Sequence, residues 1–588
     1  MRFSMSCARA ALMALALIAA GCSRQPAVVQ APPPPEPKVT AQAAWTEFAS
    51  RFIEDYFQSH PFFAVQAGRH EFDGQMGDWS ATGLQKEIDR LKHVRAQAEA
   101  ISPGPLEAAQ RFEREYLLSV IDRDLFWLDQ ARFPFSNPAW YIERLDPEVY
   151  LSRNYAPLET RLKGYMGYAQ AIPHIATEIR ANLHTPMPRP YIERGIAGFG
   201  GFAQFYRNDA PKVFASIQDP QAQRDLRAAS TAAAKAMDEL KSWLVSQRAS
   251  GTDSFALGPE LYAAMLKQTE RVDVPLADLV AIGRADLERN QQALKQACAQ
   301  FLPQGSLRDC IARMNAHKPA GGTLEGARAI LKELKAFIVA KQIVSIPGAE
   351  EALVAEAPPY NRGNFAYINI PGPYEKGVAS TYNISPPDPK WTPKERQEYL
   401  PGIAALTFTS VHEVWPGHFL QFLHANRNPS RIAALWVGYA YAEGWAHYCE
   451  EMMWEEGYGN GNPEMHIGQL TEALLRDVRF LASLGMHTQG MTPAQAEKMF
   501  LEQAYADPGN ARQQAARGAY DPAYLNYTLG KLMIRKLRAD WVAMRTSGSS
   551  GADPKRYWEA FHDQFLSYGG PPIPLVRKAM VGGSGSLF

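Results

Sequence analysis

Two histidines six residues apart, with a proline and a glycine between them, constrain this chain more than any other feature of its sequence. The stretch reads Phe408-Thr409-Ser410-Val411-His412-Glu413-Val414-Trp415-Pro416-Gly417-His418. A His-Glu pair followed closely by another histidine is the ligand pattern of a helix-borne zinc site. There the histidines normally stand four apart and share one face. Six residues of an ideal helix turn through about 600°, so His412 and His418 would point well away from each other. Proline withholds an amide donor and disturbs the preceding turn, and glycine permits dihedrals that other residues avoid. The pattern therefore predicts a helix bearing His412 and Glu413, then an interruption at Pro416-Gly417 where the two extra residues bulge out. His418 then swings back to share Zn2+ with His412.

A third ligand is needed, and Ala442-Glu443-Gly444-Trp445-Ala446-His447-Tyr448-Cys449-Glu450 offers the candidates. On one helix Glu443, His447 and Glu450 fall at roughly 0°, 40° and −20°. About 10 Å of helix separates Glu443 from Glu450, so both do not reach one ion. Glu443 is the expected ligand, and Glu450 is expected to orient a ligating histidine from behind. His447 is the alternative ligand or a further supporting residue. Glu413 is the expected general base. A second polar face follows on the next helix. Ser483 and His487 lie within about 20° of the direction of Arg476, with Arg479 roughly 60° to one side. That face is either an exposed one with ordinary salt bridges or, since an arginine fork suits a carboxylate, a pair of candidate substrate contacts at Arg476 and Arg479.

The motifs His-Glu-x-x-Pro-Gly-His and Glu-Gly-Trp-Ala-x-Tyr-x-Glu together resemble the signature of the bacterial family called domain of unknown function 885. Leu474 to Arg479 leading to Gly485-Met486-His487, and Pro522 to Gly530 with Tyr527, match further family segments. The resemblance runs over residues 43–580 and is most specific within 408–530. It implies a mainly α-helical, zincin-like fold and peptidase chemistry on peptide or other amide bonds. It also implies Tyr527 or His487 as hydrogen-bond donors to a developing oxyanion, with Arg479 nearby. The chain departs from the family at Ser483-Leu484-Gly485, at His447 in an apolar position, and at Pro522-Ala523-Tyr524-Leu525. Those departures bear on substrate preference more than on metal binding.

The N-terminus points to export. Arg2 and Arg9 precede the apolar run Ala10 to Ala20, which is too short to span a bilayer comfortably. Ala19-Ala20-Gly21-Cys22 resembles a bacterial lipobox, which implies cleavage before Cys22 and lipidation of that cysteine. Ser23 follows rather than Asp, which favours the outer membrane of the cell envelope, facing the periplasm. Residues 1–21 thus read as a signal peptide. Residues 22–42, with Pro32 to Pro35 in a row, read as a semi-rigid tether. In an oxidising compartment, Cys298 and Cys310 flank a Pro303-Gln304-Gly305 turn at a spacing open to a disulfide; two buried thiols are the alternative.

Beyond the tether, residues 43–343 carry apolar residues at three- and four-residue spacing, as in Ala44 to Ser59 and Gln221 to Arg248. Residues 344–588 form the candidate catalytic part. Phe365 to Ile370 alternates as a short strand would, so a small sheet or hairpin is expected beside the cleft, with helices resuming from Lys394. The glycines from Gly195 to Gly201 follow no strand, which argues against a phosphate loop. Lys+Arg and Asp+Glu balance at 61 each, so no basic excess points to nucleic acid. The reading is a lipid-anchored zinc hydrolase of short peptides. The alternative is an inactive zinc-containing lipoprotein that captures peptides or wall fragments.

Overall fold

Amphipathic spacing becomes helix wherever the sequence predicts it. In the computed structural model, Ala41–Ser59 turns Trp45, Phe48, Phe52 and Tyr56 inward at three- and four-residue steps. Ala81–Ala100, Ala108–Leu125 and Pro220–Gln247 do the same. Ala108–Leu125 runs on through a π-helical turn, Phe126–Gln130. The structure describes residues 40–358, 361–362, 364–547, 553–583 and 585–588. The expected signal peptide, Cys22 and the expected tether up to residue 39 lie outside the described residues. Ala41–Phe588 forms one compact unit, within which the step at 343–344 is a change of secondary structure. Among the described residues no helix is long and apolar enough to cross a membrane.

The Gly195–Gly201 stretch lies inside the helix Arg189–Asn208. A Cβ on Gly195 would come within 2.5 Å of Leu244, and one on Gly198 within 2.3 Å of Ile142. These glycines therefore serve close packing. Cys298 and Cys310 are joined in a disulfide that ties the helix ending at Phe301 to the helix Leu307–Ala316.

The sheet has three strands, β1 (Ala352–Glu356), β2 (Ala366–Asn369) and β3 (Ser380–Ile384), in the order β1-β3-β2. β3 pairs parallel with β1 and antiparallel with β2. It is a mixed sheet rather than a hairpin, and its central strand buries Tyr382 and Ile384.

Seven helices build the site: α1 (Leu276–Phe301), α2 (Ile403–Glu413), α3 (His418–Ala425), α4 (Tyr439–Glu455), α5 (Pro463–Thr488), α6 (Pro508–Tyr520) and α7 (Asn526–Thr546). α5 is buried on every side from Val478 to His487, as expected of a helix enclosed by others. α4 and α7 approach backbone to backbone. A Cβ on Gly444 would lie 2.4 Å from Gly530 Cα, and one on Gly530 would lie 2.0 Å from Ala440 O. Only glycine fits at that crossing, and it brings Glu443 of α4 towards Tyr527 of α7.

Candidate metal centre

α2 is pinned by its buried apolar residues Leu406, Phe408 and Val411, and by Tyr382 of β3, whose hydroxyl is 3.3 Å from that of Ser410. It ends at Glu413, and the next helical residue is His418. The predicted bulge is thus a complete break between two helices. The Trp415–Pro416 peptide is cis. The Gly417 amide donates to Val411 O at 3.0 Å, and Trp445 Nε1 donates to Pro416 O at 2.9 Å. The chain folds back so tightly that a Cβ on Gly417 would lie 1.8 Å from His412 O. Gly417→Ala is therefore expected to destabilise the protein by about 1–3 kcal/mol, because the obstructing atom is backbone. A thermal midpoint unchanged from the parent would contradict this close approach.

The break returns His418 to His412, with ring centroids 4.7 Å apart and the rings perpendicular. Glu443 Oε2 stands 3.2 Å from His412 Nε2 and 3.4 Å from His418 Nε2. One ligand atom from each of the three residues lies within 4.8 Å of the others. A tetrahedron with bonds of about 2.1 Å has edges of roughly 3.4 Å, so this donor set suits zinc. Three donors fill three of the four tetrahedral positions.

Behind the cluster, Glu450 Oε1 accepts from His412 Nδ1 at 2.7 Å, which leaves Nε2 for the cluster. Burial works against ionising Glu450, yet Arg476 and His447 outweigh it and hold the carboxyl well below its ordinary range. Arg476 lies 3.3 Å from Glu450 and also grips Glu472. Its hydrogen bonds go to Glu472 and its charge faces Glu450, so the structure places Arg476 behind the cluster, against these two carboxylates. His447 is fully buried and directs Nδ1 to Glu450 at 3.3 Å, outside the three-residue cluster. Burial and the Lys531 charge lower its pKa to about 4.

Glu413 is half-buried beside the cluster, and its carboxylate makes no hydrogen bond among the described residues. Burial raises its pKa, with Glu443 adding to the rise and His412 and His418 opposing it. Tyr527 lies over His412 at 6.2 Å between centroids, nearly parallel. Arg479, Arg476 and Arg517 face its ring at 4.9, 5.7 and 5.8 Å. His487 is elsewhere. It sits eleven residues beyond Arg476 on α5, about 16 Å along the axis. Its Nε2 bonds Gly518 O at 2.8 Å and its Nδ1 accepts from the Leu257 amide at 3.3 Å. With both nitrogens held by backbone it acts as a buried structural imidazole, and the expectation of a catalytic His487 is corrected. Arg517, Tyr439 and Gln514 escaped sequence reasoning. They come from α6 and the start of α4, and no spacing motif links them to the histidines.

The fold and site define a mainly α-helical protein with a small mixed sheet and a His-His-Glu cluster at a helix break. The chain belongs to the family described as bacterial protein of unknown function (DUF885), which matches residues 61–580. Its fold is similar to that of a candidate lipoprotein of unknown function from Shewanella oneidensis, with 24% identity and a TM-score of 0.74. That match covers 91% of this chain and 99% of the other. A candidate lipoprotein from Colwellia psychrerythraea is similar at 16% identity and a TM-score of 0.76, covering 92% and 99%. No curated protein matches the chain.

Proposed function

We propose that this protein is a zinc-dependent hydrolase of peptide bonds in short peptides, with a zincin-like catalytic site, working outside the cytoplasm. The observation that carries the reading is the convergence of His412 Nε2 and His418 Nε2 on one Glu443 oxygen, with Glu413 uncommitted alongside. A structural zinc site is closed by four protein ligands, whereas three ligands and a neighbouring carboxylate suit catalysis. His412, His418 and Glu443 would hold the ion, which when bound polarises a carbonyl and lowers the pKa of water.

The remaining work belongs to the chain. Glu450, kept ionised by Arg476, fixes the His412 ring so that Nε2 is its ligating nitrogen. Glu413 takes a proton from the attacking water and delivers it to the leaving amine nitrogen. Tyr527 donates its hydroxyl proton in a hydrogen bond to the carbonyl oxygen as negative charge develops. The lipobox-like Ala19 to Cys22 and the two candidate lipoproteins of similar fold support a lipid anchor on Cys22 in the cell envelope. The absence of Asp after Cys22 supports the outer membrane, facing the periplasm.

Zinc content per chain and cleavage of a mixed peptide library test the reading. One zinc per chain with cleavage abolished by a chelator and restored by zinc is expected. A folded protein that takes up no zinc on reconstitution would overturn it.

A further inference from the structure

Three guanidiniums surround the Tyr527 ring, and they differ in what balances them. Arg476 lies within ion-pair distance of Glu450 and Glu472. Arg517 Nε donates to Asp521 at 3.1 Å, and its Nη2 donates to the Tyr439 hydroxyl at 2.7 Å. Arg479 has no carboxylate within ion-pair distance among the described residues, although it is only 8% exposed. Its Nε donates to Gln514 Oε1 at 2.8 Å. Gln514 is itself held by its bond to Asn510 at 3.1 Å. The two terminal nitrogens of Arg479 have no protein partner, yet neither is sealed from solvent. A buried charge without a partner is costly, so buried cations are ordinarily paired. The cost is heightened here because Arg517 and Arg476, also positive, are among the strongest charged influences on Arg479.

The place of this unpaired cation sets what would pair with it. The Tyr527 ring neighbours both Arg479 and His412, at 4.9 Å from the guanidinium and 6.2 Å from the imidazole. In a peptide, the terminal carboxylate follows the last peptide carbonyl by one residue, roughly 3.8 Å of backbone. A planar carboxylate accepts two parallel bonds from the two open nitrogens of an arginine whose Nε is already engaged or free.

We propose that Arg479 is the docking group for the free α-carboxylate of the substrate, so that this site removes residues from the C-terminal end of short peptides. The inference rests on the peptide-hydrolase reading and adds the substrate class to it. Gln514 fixes the guanidinium plane, and Arg517 and Arg476 enrich the positive field without giving up their own acids. The pairing of Arg479 with the carboxylate places the last peptide bond towards the histidines. An acidic side chain within the substrate is the competing partner.

The test uses a mixed tetrapeptide library in two forms, with free C-termini and with C-terminal amides, half of each lacking Asp and Glu. Binding to the zinc-loaded Glu413→Gln variant and hydrolysis by the parent protein are both measured. Free acids are expected to bind roughly 10- to 100-fold more tightly than amides, with or without acidic side chains. Arg479→Gln is expected to remove the difference, and Arg479→Lys to restore part of it while the thermal midpoint stays near that of the parent. Equal binding of both forms, no binding of either, or discrimination that follows Asp and Glu content overturns the assignment. Discrimination in binding without hydrolysis of either form overturns the hydrolase reading and leaves the carboxylate site standing.

Discussion

Glu413→Gln is expected to leave zinc bound at one per chain and to lower kcat by about 10²- to 10⁴-fold, the range that a positioned general base contributes. The substitution keeps the shape of the side chain and removes its ability to accept a proton. The Glu413 carboxylate makes no hydrogen bond among the described residues, so no structural contact is lost with its charge. It is not one of the three clustered ligands, so the donor set survives. Burial together with Glu443 already disfavours its charge, and a neutral amide sits at the same place without that cost. The thermal midpoint should therefore stay level or rise. The combination expected is an intact fold, an intact metal content and a lost turnover, measured by elemental analysis, thermal unfolding and initial rates on one peptide. Near-normal rates would remove Glu413 from the mechanism. A loss of zinc together with activity would instead make Glu413 a ligand or a support for one.

The break between α2 and α3 was legible because a local rule was violated. Two histidines at six-residue spacing fail on a continuous helix, and Pro416-Gly417 supplies the means to interrupt it. Glu443 and Glu450 were legible because helix periodicity places both on one face, and the axial rise keeps them at different depths. Arg476 was legible as a cation on a buried helix but not in its partner. Glu450 reaches it from another helix, and single-chain spacing says nothing about which helices meet. His487 shows the same limit, since its two bonds go to the backbone of residues 257 and 518, far away in sequence. The crossing of α4 and α7 is legible only in hindsight. Gly444 and Gly530 lie in otherwise sound helical patterns, and each is a weak signal until the other is placed against it. The sequence points to a small sheet or hairpin but not to its mixed pairing, because β1 and β3, which pair in parallel, are separated by β2 and its flanking segments.

Lys531→Met is expected to destabilise the protein by about 3–5 kcal/mol, the cost of removing one partner from a buried charge cluster. Lys531 of α7 is fully buried, with its ammonium 2.5 Å from Asp286, 3.5 Å from Glu451 and 3.9 Å from Asp477. Arg289 and Arg535 approach the same acids from the rim. Burial lowers the lysine pKa, and Asp286, Asp477 and Glu451 more than offset that, so the side chain is held charged. Burial and the neighbouring Asp286 push Asp477 well above the ordinary carboxyl range, while Asn290 donates to it at 2.6 Å. Methionine nearly fills the volume of lysine, so the penalty isolates the charge from the cavity. What remains is Asp286 and Glu451 with their balance shifted, one of them adjacent to Glu450 on the helix that also presents Glu443. The double variant Lys531→Met with Asp286→Asn should recover part of the loss, because Arg289 and Arg535 still face Glu451. Thermal and urea unfolding of the two variants beside the parent measure both effects. A Lys531→Met midpoint equal to that of the parent would mean that this cluster shares its charge with water and does not hold α1, α4, α5 and α7 together beneath the site.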